Sequence, residues 1–116
     1  MITVRLRRAS SGQIVGFSVR GHSGSAAKGR DIVCAAVSAL TQGAALGLQR
    51  RLGIDVALLL GDGEMDCALP TGSDPAVLAR AQDILETMRI GLEEIAADHP
   101  RLVTIRQVEA SGVVTV

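Results

Sequence analysis

Residues 21–40, "GHSGSAAKGRDIVCAAVSAL", bring a histidine, a run of small residues, an aspartate and a cysteine into fourteen positions. A cysteine and a histidine are the smallest set for nucleophilic catalysis by a thiolate. An unperturbed thiol, with a pKa of about 8.5, is only a few per cent ionised near neutrality, and a neighbouring imidazolium or a helix N-terminus raises that fraction. Twelve residues separate His22 from Cys34. An extended chain of that length reaches about 40 Å, so a return to hydrogen-bond distance lies well within its span. With Asp31 taken as the N-cap of a helix, Cys34 falls at N3, where unpaired N–H groups and the positive end of the macrodipole favour an anion. Loop 23–30, with Gly24 and Gly29 for unusual backbone angles, then joins a base at a strand end to a nucleophile at a helix start and makes a lid over both.

Each of these residues also has a plainer role. A cysteine in an alanine-rich helix serves equally as a small core residue. Asp31 as a simple cap is worth about 1 kcal/mol to its helix, or it orients His22. Ser38, one turn beyond Cys34, either hydrogen-bonds in the site or bonds back to its own helix carbonyl. Other chemistries fit less well. A phosphate-binding loop wants a GK[ST] ending where this one reads "KGRD". A cysteine-phosphatase loop wants arginine six positions after its cysteine, and Leu40 stands there. No pair among His22, His99, Cys34 and Cys67 has the short spacing of zinc ligands, so neither metal nor cofactor is expected. Cys67, on the apolar face of a strand, is expected in the core, and His99 at a helix end is accounted for by the helix dipole.

The elements that must position this stretch follow from hydrophobic period. Ile2, Val4 and Leu6 alternate with polar residues, as do Val15, Phe17 and Val19 after the turn "ASSGQ", which predicts a hairpin of strands 2–8 and 13–20. From Asp31 the spacing turns helical through Val33, Val37, Leu40, Ala44 and Leu48, with Gly53 as the stop. This helix is apolar on two sides across residues 32–48, which calls for cover by a sheet and by another helix or subunit. Strands 54–60 and 64–69 flank "GDG", a second hairpin. Asp74 followed by Pro75 starts a second helix, whose stripe runs through Leu78, Ala81, Leu85, Met88, Leu92 and Ile95. Residues 102–108 read as a last strand. The order is ββαββαβ, an α+β fold with two helices on a mostly antiparallel sheet, in one domain over 1–116.

Composition narrows the partners. Twelve basic and twelve acidic residues give a net charge of zero, and Phe17 is the one aromatic. Neither a general pull toward phosphates nor a base-stacking platform is present, so direct nucleic-acid binding is not expected. No apolar run approaches a membrane span and Met1 leads into "ITVRLRR" without a signal segment, so a cytoplasmic protein with reduced thiols and no membrane contact is expected.

"GH" after the second strand, the short loop to "G.DIVCAAVSAL" and the ββαββαβ order together closely resemble the ribosomal-processing cysteine protease family, Prp, also called YsxB-like proteins. The resemblance implies a cytoplasmic endopeptidase that removes an N-terminal extension from a large-subunit ribosomal protein precursor, the protein whose N-terminus lies near the peptidyl transferase centre. By position, His22 matches the catalytic histidine and Cys34 the nucleophile, while Gly21, Gly29, Asp31 and Ser38 match the surrounding motif. It also implies a homodimer with a flexible loop over the site. The loop here, "SGSAAKGR", departs from members that carry an aromatic or a further histidine in it. Two other functions fit the residues: a ribosome-assembly factor without catalysis, and a thioesterase-like hydrolase using the same cysteine and histidine.

Overall fold

The computed structural model describes residues 1–21 and 28–110, for 28–31 the backbone alone. The elements are β1 (Ile2–Arg8), β2 (Ile14–Arg20), α1 (Lys28–Leu46), β3 (Ala57–Gly61), β4 (Glu64–Ala68), α2 (Pro75–Asp98) and β5 (Val103–Glu109). One five-stranded sheet has the order β3-β4-β2-β1-β5. β1–β2, β2–β4 and β3–β4 are antiparallel, and β5 returns beside β1 in parallel, Ile2 opposite Val103.

Alternation decides the two faces of the sheet. Ile2, Val4 and Leu6 of β1, Phe17 of β2 and Met65 and Cys67 of β4 are buried and join one core with Val33, Val37 and Leu48, and with Ala81, Leu85, Met88 and Leu92 of α2. The opposite face carries Arg5, Arg7 and Arg20. There Arg7 reaches across β2 to Asp66, Nη1 to Oδ1 at 3.0 Å, and its Nη2 donates to the Cys67 carbonyl at 3.1 Å. The guanidinium crosses directly over Gly16, where a Cβ would overlap it. α2 is tied to the β1–β2 end by Arg8, which donates to Glu86 at 2.9 Å, and by Gln82, whose amide exchanges hydrogen bonds with the backbone of Ile14 at 2.7 and 2.9 Å. Hydrogen bonds from Arg8 and Arg89 pull the Glu86 carboxyl down to about 2.

Two helix ends differ from the sequence expectation. α1 is already helical at Lys28, so Asp31 lies inside it rather than capping it. Ala, Lys and Arg are good helix formers and a single glycine is tolerated, so a helix extends upstream of its first apolar residue. At the other end, α1 passes at Gly47–Arg51 into a π-helical turn, closed by Leu52 N–H donating to Gly47 O at 3.3 Å. Gly53 then takes a φ of +67°, as its place after a helix end requires. The reading of apolar length also needs correction. Residues Ile32–Arg51 have a mean hydropathy of 1.5, long and apolar enough to cross a bilayer by length and composition alone. Alanines and glycines between the larger apolar residues keep that mean high without an unbroken run. One side of this helix, through Val33, Val37, Ala44, Ala45 and Leu48, is packed into the core.

Candidate active site

Cys34 lies on α1 six residues after Lys28, about 9 Å along the axis at 1.5 Å per residue. It is half-buried and packs against the core cluster, and neither it nor Cys67 is in a disulfide. This position changes the electrostatics. The dipole's influence fades within the first turn, so Cys34 sits beyond the N–H groups that the N3 placement would have supplied. Side chains on a helix lean toward its N-terminus, so the thiol covers the preceding turn, the one containing Arg30 and Asp31. Ser38, four residues on, shares that face and is exposed.

The base side of the site is anchored at Gly21. Its N–H donates to the Gly63 carbonyl at 2.9 Å, which ties the end of β2 to the tip of the β3–β4 hairpin. Its φ is +100°, and a Cβ there would overlap the Met1 carbonyl, with the Met1 carbonyl carbon at 3.4 Å and Ile2 Cα at 3.7 Å. Glycine is required on both counts. His22, the next residue, and 23–27 of the proposed lid lie outside the described residues, as do the side chains of 28–31, that of Asp31 and its role toward His22 included. The structure places Gly21 directly after β2 and Cys34 on α1.

The other cysteine is where its strand pattern puts it. Cys67 is 1% exposed, opposite Phe17 and Leu58. Burial, then the Asp66 carboxylate, push its thiol up to about 11, with Arg7 opposing. A thiol so placed is a core group, not a nucleophile. His99 closes α2, its N–H donating to Ile95 O at 2.9 Å and its carbonyl accepting from Leu102 at 2.9 Å. Among the described residues, no three His, Cys, Asp or Glu side chains gather as metal ligands would.

One feature near this rim was not anticipated. β3 carries three consecutive leucines, "ALLLG", a run whose residue types suit burial on both faces. It is instead the sheet's edge, with Leu58, Leu59 and Leu60 exposed by 37%, 55% and 55%.

The sequence and the fold have known counterparts. The ribosomal processing cysteine protease Prp of Bacillus subtilis (strain 168) is 33% identical over 101 residues, covering 85% of this chain and 90% of that protein. The crystal structure of SMU.848 from Streptococcus mutans superposes with a TM-score of 0.84 at 28% identity, over 94% of this chain and 95% of that one. The essential ribosomal processing protease Prp from S. aureus, solved with a substrate peptide, shares the fold with a TM-score of 0.79 at 24% identity, over 92% of this chain and 99% of that one. Residues 1–104 match the family described as cysteine protease Prp, and this chain belongs to that family of cysteine-type peptidases.

Proposed function

We propose that this protein is the cytoplasmic endopeptidase that removes the N-terminal extension of a large-subunit ribosomal protein precursor, with Cys34 as nucleophile and His22 as general acid and base. The observation that carries the reading is a half-buried thiol on α1 within the motif "DIVCAAVSAL", in a chain whose other thiol is buried. The ribosomal-processing name of the B. subtilis relative and the peptide complexes of the S. aureus protease support the substrate class.

In this mechanism the Cys34 thiolate attacks the scissile carbonyl, and the His22 imidazolium protonates the departing amine. A thioester remains on Cys34. Water, losing its proton to His22, hydrolyses it and regenerates the thiol. Because Cys34 lies beyond the first turn of α1, ionisation falls to His22 rather than to the helix dipole. Gly21 is the residue before His22, Ser38 is exposed on the same helix face as Cys34, and Gly29 and Asp31 lie in the helical residues that precede it.

A homodimer is part of the proposal. α1 leaves Ile32 69% exposed and Leu46 39% exposed on the side away from the sheet. An apolar helix face of that kind suits a second copy, and Ile32→Glu should shift a dimer to monomer in sedimentation.

The test is incubation with the precursor followed by mass spectrometry. One cleavage is expected; Cys34→Ala should abolish it, and His22→Ala should slow it by about 10²- to 10⁴-fold. Cleavage at the normal rate by Cys34→Ala would refute the nucleophile and leave an assembly factor without chemistry. Hydrolysis of acyl thioesters in place of the precursor would favour the thioesterase.

A further inference from the structure

Among the described residues, β3 has a neighbouring strand on one side alone, β4. Which of its backbone groups are left over follows from the hydrogen bonds around β4. Gly21 N–H donates to Gly63 O and Leu69 N–H to Val15 O, both at 2.9 Å, so residues 63, 65, 67 and 69 face β2. Residues 64, 66 and 68 therefore face β3, where they pair with Gly61, Leu59 and Ala57. Gly61 and Glu64 closing a two-residue turn is the hydrogen-bonded end of such a hairpin, which agrees. The N–H and C=O groups of Leu58 and Leu60 thus point outward along the open edge. Natural edges are blunted by charge, proline or bulges, and β3 has none of these between Ala57 and Gly61.

This edge ends at the active-site rim. Gly61 leads into the hairpin tip whose Gly63 holds Gly21, the residue before His22. Five residues of edge span about 17 Å, too little to reach the roughly 1,000 Å² of a specific protein interface by itself, but the length of a short extended peptide. Leu58 and Leu60 border the side facing the helices and Leu59 the other side, so apolar side chains on alternate peptide residues would find apolar neighbours.

We infer that the open edge of β3 takes up the substrate peptide as an added sixth strand, bonded through the backbone of Leu58 and Leu60. This rests on the peptidase reading above. It makes β3 a specificity element outside the Cys34–His22 pair, selecting an extended segment free of proline where it meets the edge and apolar at alternate positions.

The experiment combines an enzyme variant with a peptide series. Leu60→Pro deletes an outward N–H and no ladder bond, whereas Leu59→Pro deletes a bond to β4 and serves as the destabilised control. With a synthetic peptide spanning the precursor's extension junction, Leu60→Pro should raise KM by roughly 10-fold with kcat within about twofold, and unfold near the parent temperature. Single N-methylations along the peptide, cut by the unaltered enzyme, should lower kcat/KM about fivefold at alternate positions and little between them, which holds even if Leu60→Pro folds poorly. An unchanged KM in a folded Leu60→Pro, or no period of two in the N-methyl series, overturns the proposal. A change from dimer to monomer in Leu60→Pro also overturns it, assigning the edge to a second copy. No cleavage by the unaltered protein removes the peptidase reading and this proposal together; cleavage indifferent to both perturbations removes the docking edge alone.

Discussion

Gly21→Ala tests whether the rim of the active site is built as described, because it joins a backbone constraint to the residue before the proposed base. Two costs add. Alanine at a φ of +100° sits in a region that L residues rarely occupy, worth about 1–3 kcal/mol. Its Cβ also overlaps the Met1 carbonyl, which cannot swing aside: the N–H of the same peptide, at Ile2, is held to Leu102 O at 2.7 Å. Overpacking of this kind costs about 1–3 kcal/mol, and the stiffer unfolded chain gives back about 0.4–1 kcal/mol of the gain glycine had there. The net effect is a loss of about 1–5 kcal/mol, centred near 3 kcal/mol, which at that centre is roughly 10–15 °C in melting temperature for a chain of this size. Gly12→Ala is the control, since Gly12 has a φ of +91° with nothing within 4 Å of its Cβ position. It should lose only the conformational part, about 1–2 kcal/mol, and keep full activity. Urea unfolding measures both losses, and cleavage of the precursor peptide measures kcat/KM. Relief of the clash must move Gly21 and with it the start of the lid, so kcat/KM should fall even below the melting transition, while iodoacetamide still modifies Cys34 because α1 is held by its own packing. Gly21→Ala with stability within 0.5 kcal/mol of the parent and unaltered kcat/KM would refute the reasoning.

Three further outcomes follow from packing and charge. Gly16→Ala should cost about 1–2 kcal/mol by pushing Arg7 off Asp66 and the Cys67 carbonyl, and nearly nothing in an Arg7→Ala background; equal costs in the two backgrounds of a urea double-mutant cycle would show that the guanidinium does not cross Gly16. Cys67, raised from 9.0 to about 11 in the folded state, keeps its proton while the unfolded chain loses its own, so it changes nothing below about pH 9 and removes about 2–3 kcal/mol of stability as pH rises through 11. Cys67→Ala should flatten that alkaline decline in a pH series of thermal melts. Glu86 has the opposite sign: its carboxyl is lowered from 4.5 to about 2, so its contribution is full above 4.5 and is lost as pH falls toward 2. Its side chain is about a third exposed, which limits the gap between the parent and Glu86→Gln to about 1 kcal/mol at pH 6, and that gap should close by pH 2.

The parts of the fold legible in the chain were those where local pattern and packing agree. Alternation placed β1 and β2 within a residue of their bounds, and Asp74–Pro75 marked the start of α2, which begins at Pro75. Ile54 and Val56 were absorbed into β3 by their residue types, but they are buried in the connection after Gly53 and plug the core, so the strand begins only at Ala57. The start of α1 misled for a related reason. Asp31 is a good cap by residue type, and apolar periodicity begins just after it, yet helices extend through residues that contribute nothing to the apolar stripe. The π-helical turn at Gly47–Arg51 has no signature in a 3.6-residue pattern, because its extra residue per turn falls where the sequence is already apolar on more than one side. Of the candidate site, the helix that carries Cys34 and the strand end at Gly21 were legible, the depth of Cys34 along that helix was not, and neither was the open edge of β3, since a run of leucines says nothing about how many strands lie beside it.

The two cysteines show how one fold assigns different chemistry to the same side chain. Cys67 points between β2 and β3 toward the core, and its burial holds it as a thiol across the whole physiological range. Cys34 stands on the helix above that core with part of its surface open. On the proposed mechanism, Cys34 and His22 act as one unit, because Cys34 lies beyond the first turn of α1 and needs a partner side chain. The residue before His22 is held at the hairpin tip by the Gly21–Gly63 hydrogen bond. The same tip ends β3. A peptide paired with that edge would therefore be registered against the strand that sets the base, so that binding a substrate segment and aligning the catalytic pair become one structural event.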